Sequence, residues 1–194
     1  MGNKLFIYDV SDEDNEDQAL GRFDVDEVEW VGVSTLKNLL SALDRLVRQR
    51  ATFDRVLVQT HGHPGHVDFG NDHIWDLTLK REFAARNYHT LFPQYTRIYF
   101  DGCNVAEGSL GDEFLEAVGP IFLRMGGGVA QGWTSAGYGY SSWVPFIGGH
   151  TIHWSGGFKS ISFGPGGIKV PDLPSTSIFP LDRPHQKDYI GHNI

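Results

Sequence analysis

Apolar positions recur along the chain in two rhythms. Leu5-Phe6-Ile7-Tyr8, Arg55 to Thr60 (RVLVQT) and Arg97-Ile98-Tyr99-Phe100 are short and nearly continuous, as strands covered on both faces are. Leu36, Leu39, Leu40, Leu43, Leu46 and Val47 return every three or four residues instead. That spacing predicts a helix from Ser34, a good N-cap, to about Arg50. A second helix is expected from Asp76 to Asn87. A third is expected from Gly111 to Arg124, with Phe114, Leu115, Val118 and Phe122 on one side. Trp30–Val33 reads as a small strand or loop, and Gly127–Gln131 as a further strand. The alternation predicts an α/β fold, a three-layer sandwich with a mostly parallel central sheet. Past Gly132 the helical period stops. Trp143 to Phe163 predicts Gly/Trp-rich hairpins or edge strands. From Gly164 onward, Pro165, Pro171, Pro174, Pro180 and Pro184 predict an extended tail. The expected organisation is one domain over 1–163 and a Pro/Gly-rich tail over 164–194 wrapped on it. There is no internal repeat.

The length, 194 residues, suits one domain with a full hydrophobic core. A single Cys excludes an intramolecular disulfide framework. No apolar run reaches the roughly 18 residues of a membrane span. The amino-terminal stretch turns acidic before a signal-peptide pattern develops. The expectation is a cytoplasmic protein with no membrane partner. The net charge of −8 is local: ten acidic residues lie between Asp9 and Glu29 against one basic residue, Arg22. The remainder after Glu29 is balanced, so no basic stripe for nucleic acid is present. The acidic stretch at 9–29 reads as a solvated loop. Calcium is an alternative there, on the alternating Asp12, Asp14 and Glu16, although the EF-hand glycine and closing Glu are missing. No other cofactor is expected. The chain has no phosphate loop, dinucleotide fingerprint or Gly-x-Ser-x-Gly elbow.

Candidate chemistry sits at two strand exits. The strand ending at Thr60 presents His61, and the strand ending at Phe100 presents Cys103. Ligands of open α/β sheets meet the carboxyl ends of strands, and a Cys beside a His makes a nucleophile with its base. Gly62 follows the His and Gly102 precedes the Cys. The backbone amides at Gly62 and Gly102 are each free to serve an oxyanion hole. Gln131 and Trp133 are candidates to bind substrate along an extended peptide.

The segments VLVQTHGHPGHVDFG and RIYFDGCNVAEGSLGDEF resemble the caspase-like cysteine peptidases, which include caspases, metacaspases, gingipains and clostripain, and most closely an uncharacterised bacterial domain of that kind. The resemblance implies a caspase-like fold over residues 1–163, a catalytic dyad of His61 and Cys103, and an oxyanion hole made by the amides of Gly62 and Cys103. It also implies a peptide or protein substrate, with Asp101 matching an Asp that pairs with a basic P1 residue. In such a peptidase the Cys103 thiolate attacks the peptide carbonyl and His61 protonates the leaving amine. One alternative is a catalytically silent domain of the same fold that binds a peptide or protein. Another is metallic: His61, His63 and His66, with Asp68 just beyond, resemble the His-x-His-x-Asp-His signature of metallo-β-lactamase-like hydrolases, with Gly65 in place of its Asp. That reading would make the three histidines zinc ligands.

Overall fold

A computed structural model describes residues 3–11, 28–139, 151–153 and 157–171. The expected acidic loop with its calcium site, most of the Trp143–Phe163 region and the tail beyond residue 171 lie outside these described residues. The main-sheet strands are β1 (Lys4–Asp9), β2 (Val28–Val33), β3 (Arg55–Gln59), β7 (Thr96–Asp101), β8 (Gly128–Trp133), β11 (Phe158–Gly164) and β12 (Ile168–Lys169). A separate three-stranded sheet holds β4 (Gly62–His63), β5 (His66–Phe69) and β6 (Asp72–Trp75). Two short strands, β9 (Gly137–Gly139) and β10 (Thr151–His153), pair antiparallel with each other.

The seven-stranded sheet has the order β12-β11-β8-β7-β3-β1-β2. Strands β2, β1, β3, β7 and β8 are parallel, and β11 and β12 add antiparallel to one edge. Both faces of the central strands are apolar, which explains the continuous runs in the sequence. One face carries Leu5, Ile7, Val56, Val58, Ile98, Phe100 and Ala130 and shares a single core with the helices. The other buries Phe6, Leu57 and Tyr99 beside Tyr8, Trp30 and Trp133. No described helix lies in that second cluster, so the described residues give an α/β sandwich with helices packed on one face.

Helix α1 (Leu36–Arg48) turns Leu39, Leu43 and Leu46 into the core, as its period requires. Its cap is Thr35, one residue later than expected: the Thr35 hydroxyl accepts from Asn38 N at 3.1 Å. The expected second helix is broken up. A single turn, α2 (Asp76–Thr78), runs into a π-helical turn at Leu79–Phe83, and a 3₁₀ turn follows at Tyr88–Leu91. Leu79 and Phe83 stay in the core. Helix α3 (Gly108–Phe122) begins three residues before the expected Gly111 and buries Phe114, Leu115 and Val118. No described helix is long and apolar enough to cross a membrane.

Candidate functional site

The site grows out of a tight hairpin. Pro64-Gly65 separates His63 from His66, which face each other across β4 and β5. Proline fixes the backbone of the first turn position, and Gly65 takes φ +80° at the second, the combination of a type II turn. An added Cβ at Gly65 would also stand 2.8 Å from the Leu110 carbonyl oxygen. Strand β6 then pairs with β5, setting Trp75 opposite His66, Ile74 opposite Val67 and His73 opposite Asp68.

Strand periodicity sorts these residues onto two faces. Val67, Phe69 and Ile74 point into the core, where each is at most 2% exposed. At about 1.5–3 kcal/mol for each large apolar side chain, their burial holds the hairpin against the body of the protein. The opposite face carries His63, His66, Asp68, His73 and Trp75.

On that face the Asp68 carboxylate is the hub. His63 Nε2 stands 3.6 Å from Asp68 Oδ2, and His66 Nε2 stands 3.4 Å from Oδ1. His73 Nδ1 lies 2.5 Å from Oδ1, a short charge-assisted hydrogen bond in which the ring nitrogen donates. The side chains of His66 and Asp68 are only 8% and 9% exposed, against 63% for His63. The His63 and His66 rings stack with centroids 5.1 Å apart, and Trp75 covers the His66 ring at 3.7 Å. Burial holds His66 below the ordinary imidazole pKa, outweighing the Asp68 carboxylate, which pulls the other way. His66 is thus kept neutral, the form that ligates a metal. Its Nδ1 is buried and makes no hydrogen bond of normal geometry, although the Pro64 carbonyl is placed to favour a proton on the ring.

The ligating atoms of His63, His66 and Asp68 all lie within 4.8 Å of one another. The spacings of 3.4 and 3.6 Å are long for hydrogen bonds. Each is close to the roughly 3.4 Å between two ligands about 2.0–2.1 Å from one tetrahedral ion, with the two histidines set on different oxygens of the same carboxylate. The donor set, two imidazoles and a carboxylate, suits a borderline divalent ion rather than calcium.

The strand-exit residues occupy the neighbouring region. Strands β3 and β7 are adjacent, with Gln59 opposite Asp101, so the two exits lie side by side. Gly62 packs so closely there that an added Cβ would meet the Cys103 carbonyl oxygen at 3.0 Å. His61 is exposed, and its carbonyl accepts from Asp68 N at 3.0 Å. Cys103 is half-buried. Asp101 is buried, and its Oδ1 accepts from Trp133 Nε1 at 3.0 Å, while Tyr99 Oη lies 3.4 Å away. Gln131 donates from Nε2 to Ser160 Oγ at 2.9 Å across the β8–β11 pair.

The model of a domain of unknown function, DUF4347, matches residues 12–123, more than half of the chain. The chain belongs to the DUF4347 family. No curated protein matches it. The DUF4347 match spans the hairpin and both strand exits and ends at α3. It replaces the caspase-like assignment. The described side chains whose ligating atoms lie close enough together to hold an ion are His63, His66 and Asp68, and no cysteine is with them. The cysteine-peptidase expectation, with His61 as base and Cys103 as nucleophile, is corrected on that ground, together with thiol-endopeptidase activity and the silent caspase-like alternative. The zinc-hydrolase expectation on His61, His63 and His66 is corrected as well. Register pairs His63 with His66 and sets Asp68 two residues farther along the same face, so Asp68 rather than His61 completes the group.

Sequence reasoning missed His73 and Trp75, and it left Asp68 outside the ligand set. The signal was present in the alternation His66-Val67-Asp68-Phe69 and His73-Ile74-Trp75 around a Pro-Gly turn.

Proposed function

We propose that this domain binds one divalent transition-metal ion through His63 Nε2, His66 Nε2 and the Asp68 carboxylate. The observation that carries this reading is the convergence of three ligating atoms within 4.8 Å on one face of the hairpin sheet. Two further features support it. His66 is buried and biased to its neutral form. His73 holds the Asp68 carboxylate from outside the group, the orienting role that outer-shell partners play in metal sites. Nitrogen donors favour the zinc, cobalt and copper class over magnesium or calcium.

Equilibrium dialysis of the full chain against Zn²⁺, read by elemental analysis, tests this. One equivalent per chain is expected. Even outer-shell changes cost about 10–100-fold in metal affinity, so His63→Ala and Asp68→Asn should each lower the affinity by about 100-fold or more. Equal zinc uptake by the parent protein and a folded His63→Ala/Asp68→Asn variant would overturn the assignment.

A further inference from the structure

We infer that the metal bound at His63, His66 and Asp68 keeps one exchangeable position, open to solvent, that takes a small monodentate anion such as azide or a carboxylate. The inference rests on the metal-binding reading above. Its first support is a count of donors. Three protein atoms converge, and an ion of this class takes at least four ligands.

Among the described residues, the nearby side chains able to supply a fourth donor stand outside the group. His73 Nδ1 is committed to Asp68 Oδ1 at 2.5 Å, and the two nitrogens of an imidazole diverge, so one ring pose cannot both hold that bond and ligate the same ion. The Asp72 carboxylate accepts from Leu36 N at 2.8 Å at the start of α1. Asp76 is paired with Lys80 at 2.7 Å. Cys103 stands outside the group.

Exposure gives the open position a direction. The site has a closed floor, with His66 and Asp68 at 8% and 9% exposure and Trp75 over the His66 ring. It has an open rim, with His63 at 63% and His73 at 56%. Charge gives the ligand class: two neutral imidazoles, one carboxylate and a divalent ion leave one net positive charge, which favours an anion.

The test uses Co²⁺-loaded full-length protein, with visible d–d absorption recorded during titration with sodium azide and, separately, sodium acetate. The expected result is a saturable change in band position and intensity with each anion in the parent protein. A Co²⁺-loaded protein whose spectrum does not respond to either anion would overturn the inference while leaving metal binding intact. A spectrum silent in the parent protein but responsive in His73→Gln would also overturn it, by making His73 the fourth ligand. Failure to take up Co²⁺ at all would overturn the metal reading itself, and dialysis reports that separately.

Discussion

The two sheets of this protein use the same alternation to opposite ends. In the seven-stranded sheet, Phe6 and Leu57 fill one face while Ile7 and Val58 fill the other, and both faces are buried. In the three-stranded sheet, one face is equally apolar, with Val67, Phe69 and Ile74 in the core, but the other collects three histidines and a carboxylate. The large sheet is committed on both sides to holding the fold. The small one is anchored by one side, which leaves its other side free to bring ligating atoms together. A buried carboxylate costs free energy to remove from water, and Asp68 offsets that cost through the short hydrogen bond from His73.

That contrast predicts a graded set of effects. The largest falls on metal affinity. His66→Ala is expected to weaken zinc binding by about 100-fold or more, worth about 2.8 kcal/mol at 1.4 kcal/mol per tenfold. Cys103→Ser and His61→Ala should leave zinc binding unchanged in the same equilibrium dialysis. A loss in Cys103→Ser equal to that in His66→Ala would erase the distinction between hairpin and strand exits. Next is the turn. Gly65→Ala forces a Cβ into a left-handed conformation and against Leu110, so urea denaturation should show a loss of about 1–2 kcal/mol. Zinc affinity should fall with it, since the turn sets His63 against His66.

Asp72→Ala removes the carboxylate that accepts from Leu36 N. A loss of about 1 kcal/mol is expected, as for other helix-start contacts, with zinc stoichiometry unchanged. The smallest effect lies far from the hairpin. His89 is held below the ordinary imidazole value of 6.5, first by burial and then by Arg124. The unfolded chain therefore binds more protons than the folded one between that lowered value and about 6.5. The stability His89 contributes is complete above about 6.5 and is lost as the pH falls through this window. Replacing it in His89→Gln should flatten the acid side of the stability profile without altering the neutral side.

Much of the large sheet was legible from local pattern alone. β3, β7, α1 and α3 each carry enough patterned residues to declare themselves, whereas the adjacency of the β3 and β7 exits is set by strand order and had to be seen in the sheet. The break after Thr78 was not legible, because Leu79 and Phe83 have an ordinary helical spacing and both stay buried in the π turn. The site was half legible. His63, His66 and Asp68 were visible as a run, but convergence is a property of cross-strand register, which strands of two and four residues specify poorly in sequence. The glycines at the strand exits drew the chemistry toward Cys103 instead, and those glycines serve close backbone packing.

The hairpin is stitched to the body at separated points. Gly65 N donates to the Val105 carbonyl, Gly70 N to Asp9 Oδ2, Leu36 N to Asp72 Oδ2, and the Thr60 hydroxyl to the Asp68 carbonyl. These stitches reach β1, the end of β3, α1 and the segment after β7. A segment held at so many places does not fray alone; it exchanges its amide hydrogens in step with the elements that hold it. Slow exchange at Val67 and Ile74 should therefore track that of the β3 amides, and an ion captured on this small surface would slow opening throughout the domain.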